Sequence, residues 1–186
     1  MKLFSFYRPL PLRCMMIVVI SFLIALLVGY NFAPELEDWG PKMVNFRDTL
    51  FVPVHAPLSE RHPKLGKYVA HNTKVIALAL CIGPVIFFYP LIRTVCLGGI
   101  IGAALWNLGS PWLWGRFLLP HSLVELPVSL YVDAVAMHGG LRWLAGGPEG
   151  RRGILKQELV ANLKLLLLLM PLIVFAGLLE AYVTNR

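Results

Sequence analysis

Charge is what this sequence has least of. Lys, Arg, Asp and Glu together make up 15% of its 186 residues, where a soluble domain carries about 25%. Polar low-complexity tracts and a Gly-X-Y period are missing as well, and 58% of the residues are hydrophobic, with a mean hydropathy of +0.70. These lacks exclude a soluble enzyme, a disordered tail and a collagen-like fibre. Cysteine is scarce: Cys14, Cys81 and Cys96 cannot all pair, lie in or beside apolar blocks and form no CxxC or Cys/His spacing. They read as small hydrophobes without redox or zinc-thiolate chemistry. A P-loop, a dinucleotide fingerprint, a GxSxG elbow and HExxH are also missing. No complete catalytic motif is left, so a non-enzyme without metal or cofactor is the expectation.

What is present is apolar sequence in blocks, the mark of an integral membrane protein. The length suits a single domain, 1–186, because five spans of about 20 residues already use over half the chain. The net charge of +7 would suggest nucleic acid in a soluble protein. Here the basic residues flank apolar blocks, which points instead to anionic lipid headgroups and to orientation, with no nucleic-acid partner.

The first block, near 14–32, follows Lys2, Arg8 and Arg13 and lacks an A-x-A site; Pro34 directly follows Ala33. It reads as an uncleaved span with a cytoplasmic N-terminus. Residues 33–72 form the main polar segment, expected outside the cell. Within it Pro41 opens an amphipathic stretch with Met43, Val44, Phe46, Leu50 and Phe51 on one face and Lys42, Asn45, Arg47, Asp48 and Thr49 on the other. That pattern fits an outer interfacial helix or one folded back on the bundle. His55, His62 and His71 of this segment match no metal-ligand spacing.

From Val75 to Trp106 the chain is apolar apart from Arg93 and a few small polar residues. One helix of that length would be about 48 Å long, against a hydrocarbon core of about 30 Å. Two spans are therefore predicted, near 73–89 and 94–113, with Pro90 and Arg93 marking the turn. Gly98, Gly99, Gly102 and Ala103 lie on the second of these at i, i+4 spacing, a signature of close backbone approach within the chain or between copies. A homodimer or higher homo-oligomer is expected from it. Further spans are predicted near 117–145 and 158–182, joined by a Gly/Pro-rich turn carrying Arg151 and Arg152. Placing Arg142, Arg151, Arg152 and Lys156 with the basic N-terminus gives an all-α bundle of five spans, N-terminus in and C-terminus out.

Ionisable groups inside a span are costly and face protein or water. His121 and Glu125 are four apart, about 40° around a helix, and can touch; Asp133 lies two turns on and about 80° further round. Pro120 suits a first turn, and Pro127 frees a backbone carbonyl within the span and should kink it. Three roles fit: a structural clamp, a path for ions, protons or lipid headgroups, or a membrane metallohydrolase. H-x-x-x-E supplies two ligands of the three that zinc catalysis needs. Asp133 and His138 read mainly as inter-helix hydrogen-bond anchors, with Arg142 as one partner open to them.

Pro120-His121 with Glu125-Leu126-Pro127, then Gly139-Gly140-Leu141, resembles the signature region of the stage II sporulation protein M family, the DUF95 proteins. Asn72, the small-residue span and Glu180-Ala181 extend the resemblance over about 65–183, with Ser122 where the family often has Gly. The resemblance implies a five- or six-span inner-membrane protein of a bacterium or archaeon, of a family without a known enzymatic activity. It further implies a scaffold or assembly role with envelope protein partners, and importance for His121 and Glu125. A subunit of a lipid or solute translocation complex is the alternative, and a membrane-embedded hydrolase the second.

Overall fold

The computed structural model describes residues 11–36, 58–115, 119–146 and 148–184. Within them the chain is helical and has no strand. It forms α1 (Leu12–Leu36), α2 (Leu58–Ile82), α3 (Tyr89–Leu108), α4 (Leu119–Ala145) and α5 (Gly150–Leu179), with a single turn at Pro111–Leu113 and a π-helical turn at Glu180–Thr184. The amphipathic stretch 41–51, His55 and Arg116 lie outside the described residues.

Among the described residues, three stretches are long and apolar enough to cross a bilayer: Leu12–Pro34, Tyr89–Trp106 and Gly150–Tyr182. α1 shows what surrounds them. Cys14, Val18, Phe22, Ala25 and Ala33 are buried at helical spacing, while Met16, Ile17, Ile20, Leu23, Ile24, Leu27 and Val28 are exposed. So continuous an apolar surface belongs in lipid, not water.

α2 and α4 are more polar. α2 carries His71, Asn72 and Lys74, and α4 carries Glu125, Asp133 and Arg142. The packing accounts for α4. Val128, Ser129, Leu130 and Val132–Met137 are buried, so this helix lies inside the bundle and its polar groups meet other helices. Leu130, Ala134 and Met137 pack on Cys14, Val18 and Phe22 of α1. Val128 and Val132 pack on Ile76, Ala79 and Leu80 of α2 and Leu169 and Ile173 of α5. One helix thus joins both apolar clusters.

The closest backbone approach is between α1 and α3. A Cβ on Gly98 would stand 2.6 Å from the Phe22 carbonyl oxygen, one on Gly102 would overlap the Leu26 carbonyl oxygen, and one on Gly29 would overlap that of Gly99. Gly98, Gly102 and the buried Ala103 therefore serve contact within the chain. A Cβ on Gly99 itself would meet open space. The contacts Phe22–Gly98, Leu26–Gly102 and Tyr30–Trp106, the last edge-on at 5.5 Å, advance together along both helices and make α1 and α3 parallel.

Between α2 and α3 the chain turns at 83–88, earlier than Pro90 and Arg93 suggest. The cause is Pro84. It has no N–H to give the Leu80 carbonyl four residues back, so α2 ends. Asn162 of α5 supplies the missing donor, Nδ2 to Leu80 O at 2.8 Å. Pro90 instead sits in the first turn of α3, where a missing N–H costs nothing. α3 stops at Gly109, whose φ of 68° and N–H bond to the Trp106 carbonyl close the helix.

Contacts of Leu80 with Asn162 and of Val69 with Gly177 run α2 antiparallel to α5. α4 is antiparallel to α5, because Arg142 meets Glu158 while Val128 and Val132 cluster with Leu169 and Ile173. It is antiparallel to α3 as well, because Gly140 meets Gly83 in the turn while Asp133 meets Thr94. So α1, α3 and α5 point one way, α2 and α4 the other. The start of α1, the 83–88 turn, the end of α4 and the start of α5 share one end of the bundle, which gathers Arg13, Arg142, Arg151, Arg152 and Lys156.

Candidate functional site

α4 is the axis of a polar network, and helix geometry dictates which groups it can bring together. Asp133 and Arg142 are nine residues apart, about 180° around the helix at 100° per residue. They point to opposite sides. Arg142 and Asp133 therefore do not bond to each other, and each forms an ion pair with another helix.

On one side Asp133 is fully buried. Arg93 Nε of α3 donates to its Oδ1 at 2.7 Å and Thr94 Oγ1 to its Oδ2 at 2.8 Å. A further guanidinium N–H of Arg93 donates to the Ser129 carbonyl oxygen at 3.1 Å. Ser129 lies one turn before Asp133, so a single α3 arginine holds successive turns of α4. Both carboxylate oxygens have a donor and the buried charge is matched, the condition under which such a pair survives burial.

On the other side Arg142 donates to Glu158 Oε1 of α5 at 2.6 Å. The Glu158 side chain is fully buried and that of Arg142 is 41% exposed. Gly139 makes room for this carboxylate, since a Cβ there would stand 2.8 Å from Glu158 Oε2. Its neighbour Gly140 faces the 83–88 turn, where a Cβ would stand 2.5 Å from the Gly83 carbonyl oxygen. The Gly139-Gly140 pair thus lets α4 approach two neighbours at once.

Glu125 is half-buried and faces a third direction. With Asn72 of α2 it lines a small cavity otherwise walled by Ile76, Val124, Val128, Leu172, Ile173 and Ala176. Asn72 is buried, and its Nδ2 has no hydrogen-bond partner among the described residues. Arg93 and Glu180 lie within electrostatic reach of Glu125. Arg93, the partner of Asp133, is thus within electrostatic reach of Glu125 as well, although no hydrogen bond joins the two carboxylates among the described residues. Pro120 is in the first turn of α4, and the helix runs unbroken through Pro127. The side chain of His121 lies outside the described residues.

Sequence reasoning missed Thr94, Ser129, Glu158 and Asn162; Asn72 was singled out by the resemblance, without its place beside Glu125. Arg93 had a signal of its own, a guanidinium within an apolar run; it was read as marking a turn, and it stands one turn inside α3.

A helical bundle with apolar outer faces and ion pairs between its helices defines a membrane-protein fold. The particular family follows from comparison: the model of Stage II sporulation protein M matches residues 18–185, and the chain belongs to that family. The match also takes in α1 from residue 18 on and the segment 33–60, beyond the 65–183 of the resemblance. No significant match was found among curated proteins or solved structures.

Proposed function

We propose that this protein is a non-enzymatic scaffold of the cell envelope, a multi-pass protein of a bacterial or archaeal cytoplasmic membrane that holds envelope partners in place. The observation that carries the reading is the pairing of α4: Arg93–Asp133 and Arg142–Glu158 fasten it to α3 and α5 on opposite sides. Charges matched in this way make a stiff unit, the property a platform needs. All five helices cross the membrane in this reading, in keeping with their alternating directions. Arg13, Arg142, Arg151, Arg152 and Lys156 share one end, which supports a cytoplasmic location for that end in this reading. Gly98 and Gly102 are occupied by α1, so self-association of the scaffold uses another face.

The test is purification of the full chain from native membranes after mild crosslinking, with identification of what accompanies it. The scaffold reading expects envelope proteins in a fixed ratio to the chain. Recovery of the chain with lipid alone would contradict it. Translocation-complex subunits as the recovered partners would favour the alternative.

A further inference from the structure

Between the end of α4 and the start of α5 lies an open groove of about 270 Å³, lined by Arg142, Ala145, Gly146, Pro148, Glu149 and Ile154. The two ion pairs and the α4 packing leave it unused. Arg142 is shared by both: its Nη1 is fixed on buried Glu158, which holds the guanidinium in one orientation at the groove wall. Its other N–H donors are left for a second acceptor. Arg151 and Arg152, both exposed, open α5 beside the groove, and the Arg151 guanidinium stacks 5.7 Å over Trp143. A tryptophan with stacked arginine at the end of apolar helices is the chemistry of the membrane–water interface.

We propose that this groove binds the headgroup of an anionic phospholipid. Its phosphodiester accepts hydrogen bonds from Arg142 and from an arginine of the α5 first turn, and its glycerol backbone rests on Ala145, Pro148 and Ile154. Glu149 narrows the ligand class. It accepts a hydrogen bond from Gln157 and brings a negative charge to the rim, which repels a dianionic phosphomonoester. A carboxylate there also accepts a hydroxyl. The best occupant is a singly charged phosphodiester bearing a polyol, as in phosphatidylglycerol.

Native mass spectrometry of the full chain, released from nanodiscs of defined composition, tests this by counting retained lipids. Each basic side chain near an anionic surface is worth about a fivefold gain in binding, so two arginines give roughly a 10- to 30-fold preference for phosphatidylglycerol over phosphatidylcholine. The doubly substituted Arg151→Gln/Arg152→Gln protein should lose most of that preference while keeping its melting temperature, because both side chains are exposed. Glu149→Gln should raise retention of phosphatidic acid relative to phosphatidylglycerol. Equal retention of phosphatidylglycerol and phosphatidylcholine by the wild type would overturn the proposal. So would an unchanged preference in the double variant. Displacement of the lipid by millimolar inorganic phosphate would assign the groove to the free ion and overturn it equally.

Discussion

Removing the Asp133 carboxylate strands a charge. Asp133→Leu leaves the Arg93 guanidinium, 13% exposed, facing an apolar side chain. The bonds to Asp133 Oδ1 and from Thr94 to Oδ2 are both lost, and Arg93 keeps the hydrogen bond to the Ser129 carbonyl and the more distant charge of Glu125. Breaking a buried pair from one side costs about 3–5 kcal/mol. Arg93→Leu strands the carboxylate in turn, with a similar cost. The double variant Arg93→Leu/Asp133→Leu strands neither. Apolar replacement of both partners is often neutral or stabilising, so it should recover most of the stability of the wild type. The cycle therefore yields a coupling energy of about 5 kcal/mol or more, the two single costs less the small cost of the double variant. That lies well above the roughly 0.6 kcal/mol typical of side-chain hydrogen bonds between membrane helices. The assay is reversible unfolding in mixed micelles, followed by tryptophan fluorescence for all four proteins. Additive single variants, with a coupling below about 0.5 kcal/mol, would refute the buried pair, because that is the value of a solvated one.

Gly102→Leu should destabilise the fold by about 2 kcal/mol or more, since its side chain must enter the α1 backbone; Gly99→Leu, facing open space, should be tolerated in the same unfolding assay. Asn162→Leu removes the donor that replaces the missing N–H of Pro84 and should cost about 1–3 kcal/mol, with faster hydrogen exchange at the end of α2. Glu125→Gln should unfold nearly as the wild type does and Glu125→Ala at lower denaturant, because an amide still fills the same polar position. Cysteine labelling at Ser59 and Gly150 should proceed from opposite membrane faces; labelling of both from one face would contradict five crossings.

The helical class and the membrane setting were legible because they rest on composition and block length, which need no partner. The first span illustrates this: its helix, Leu12–Leu36, encloses the predicted 14–32. The turn after α2 was harder to read. Pro84 and Pro90 are both compatible with a break, and the choice depends on Asn162, a donor 82 positions further along the chain, reaching Leu80. The small residues of α3 were recognisable as a packing face, but their partner was not, since Ala25 and Gly29 on α1 look ordinary in an apolar run. The polar network was legible as a set of costly residues and illegible as pairs. Asp133 and Arg142 are close in sequence and opposite in charge, yet rotation about the helix sends them to different neighbours. Buried Glu158 looked like the polar start of a span until Gly139 was seen to leave space for it.

The central claim is that the charged groups within the bundle brace its helices and conduct nothing. Flux through liposomes containing the full chain, loaded with a pH-sensitive dye and polarised with a potassium gradient, tests this most directly. Bracing predicts a proton leak equal to that of protein-free liposomes, and no change with Glu125→Gln. A leak that rises with the amount of wild-type protein and disappears in the folded Glu125→Gln variant would contradict it.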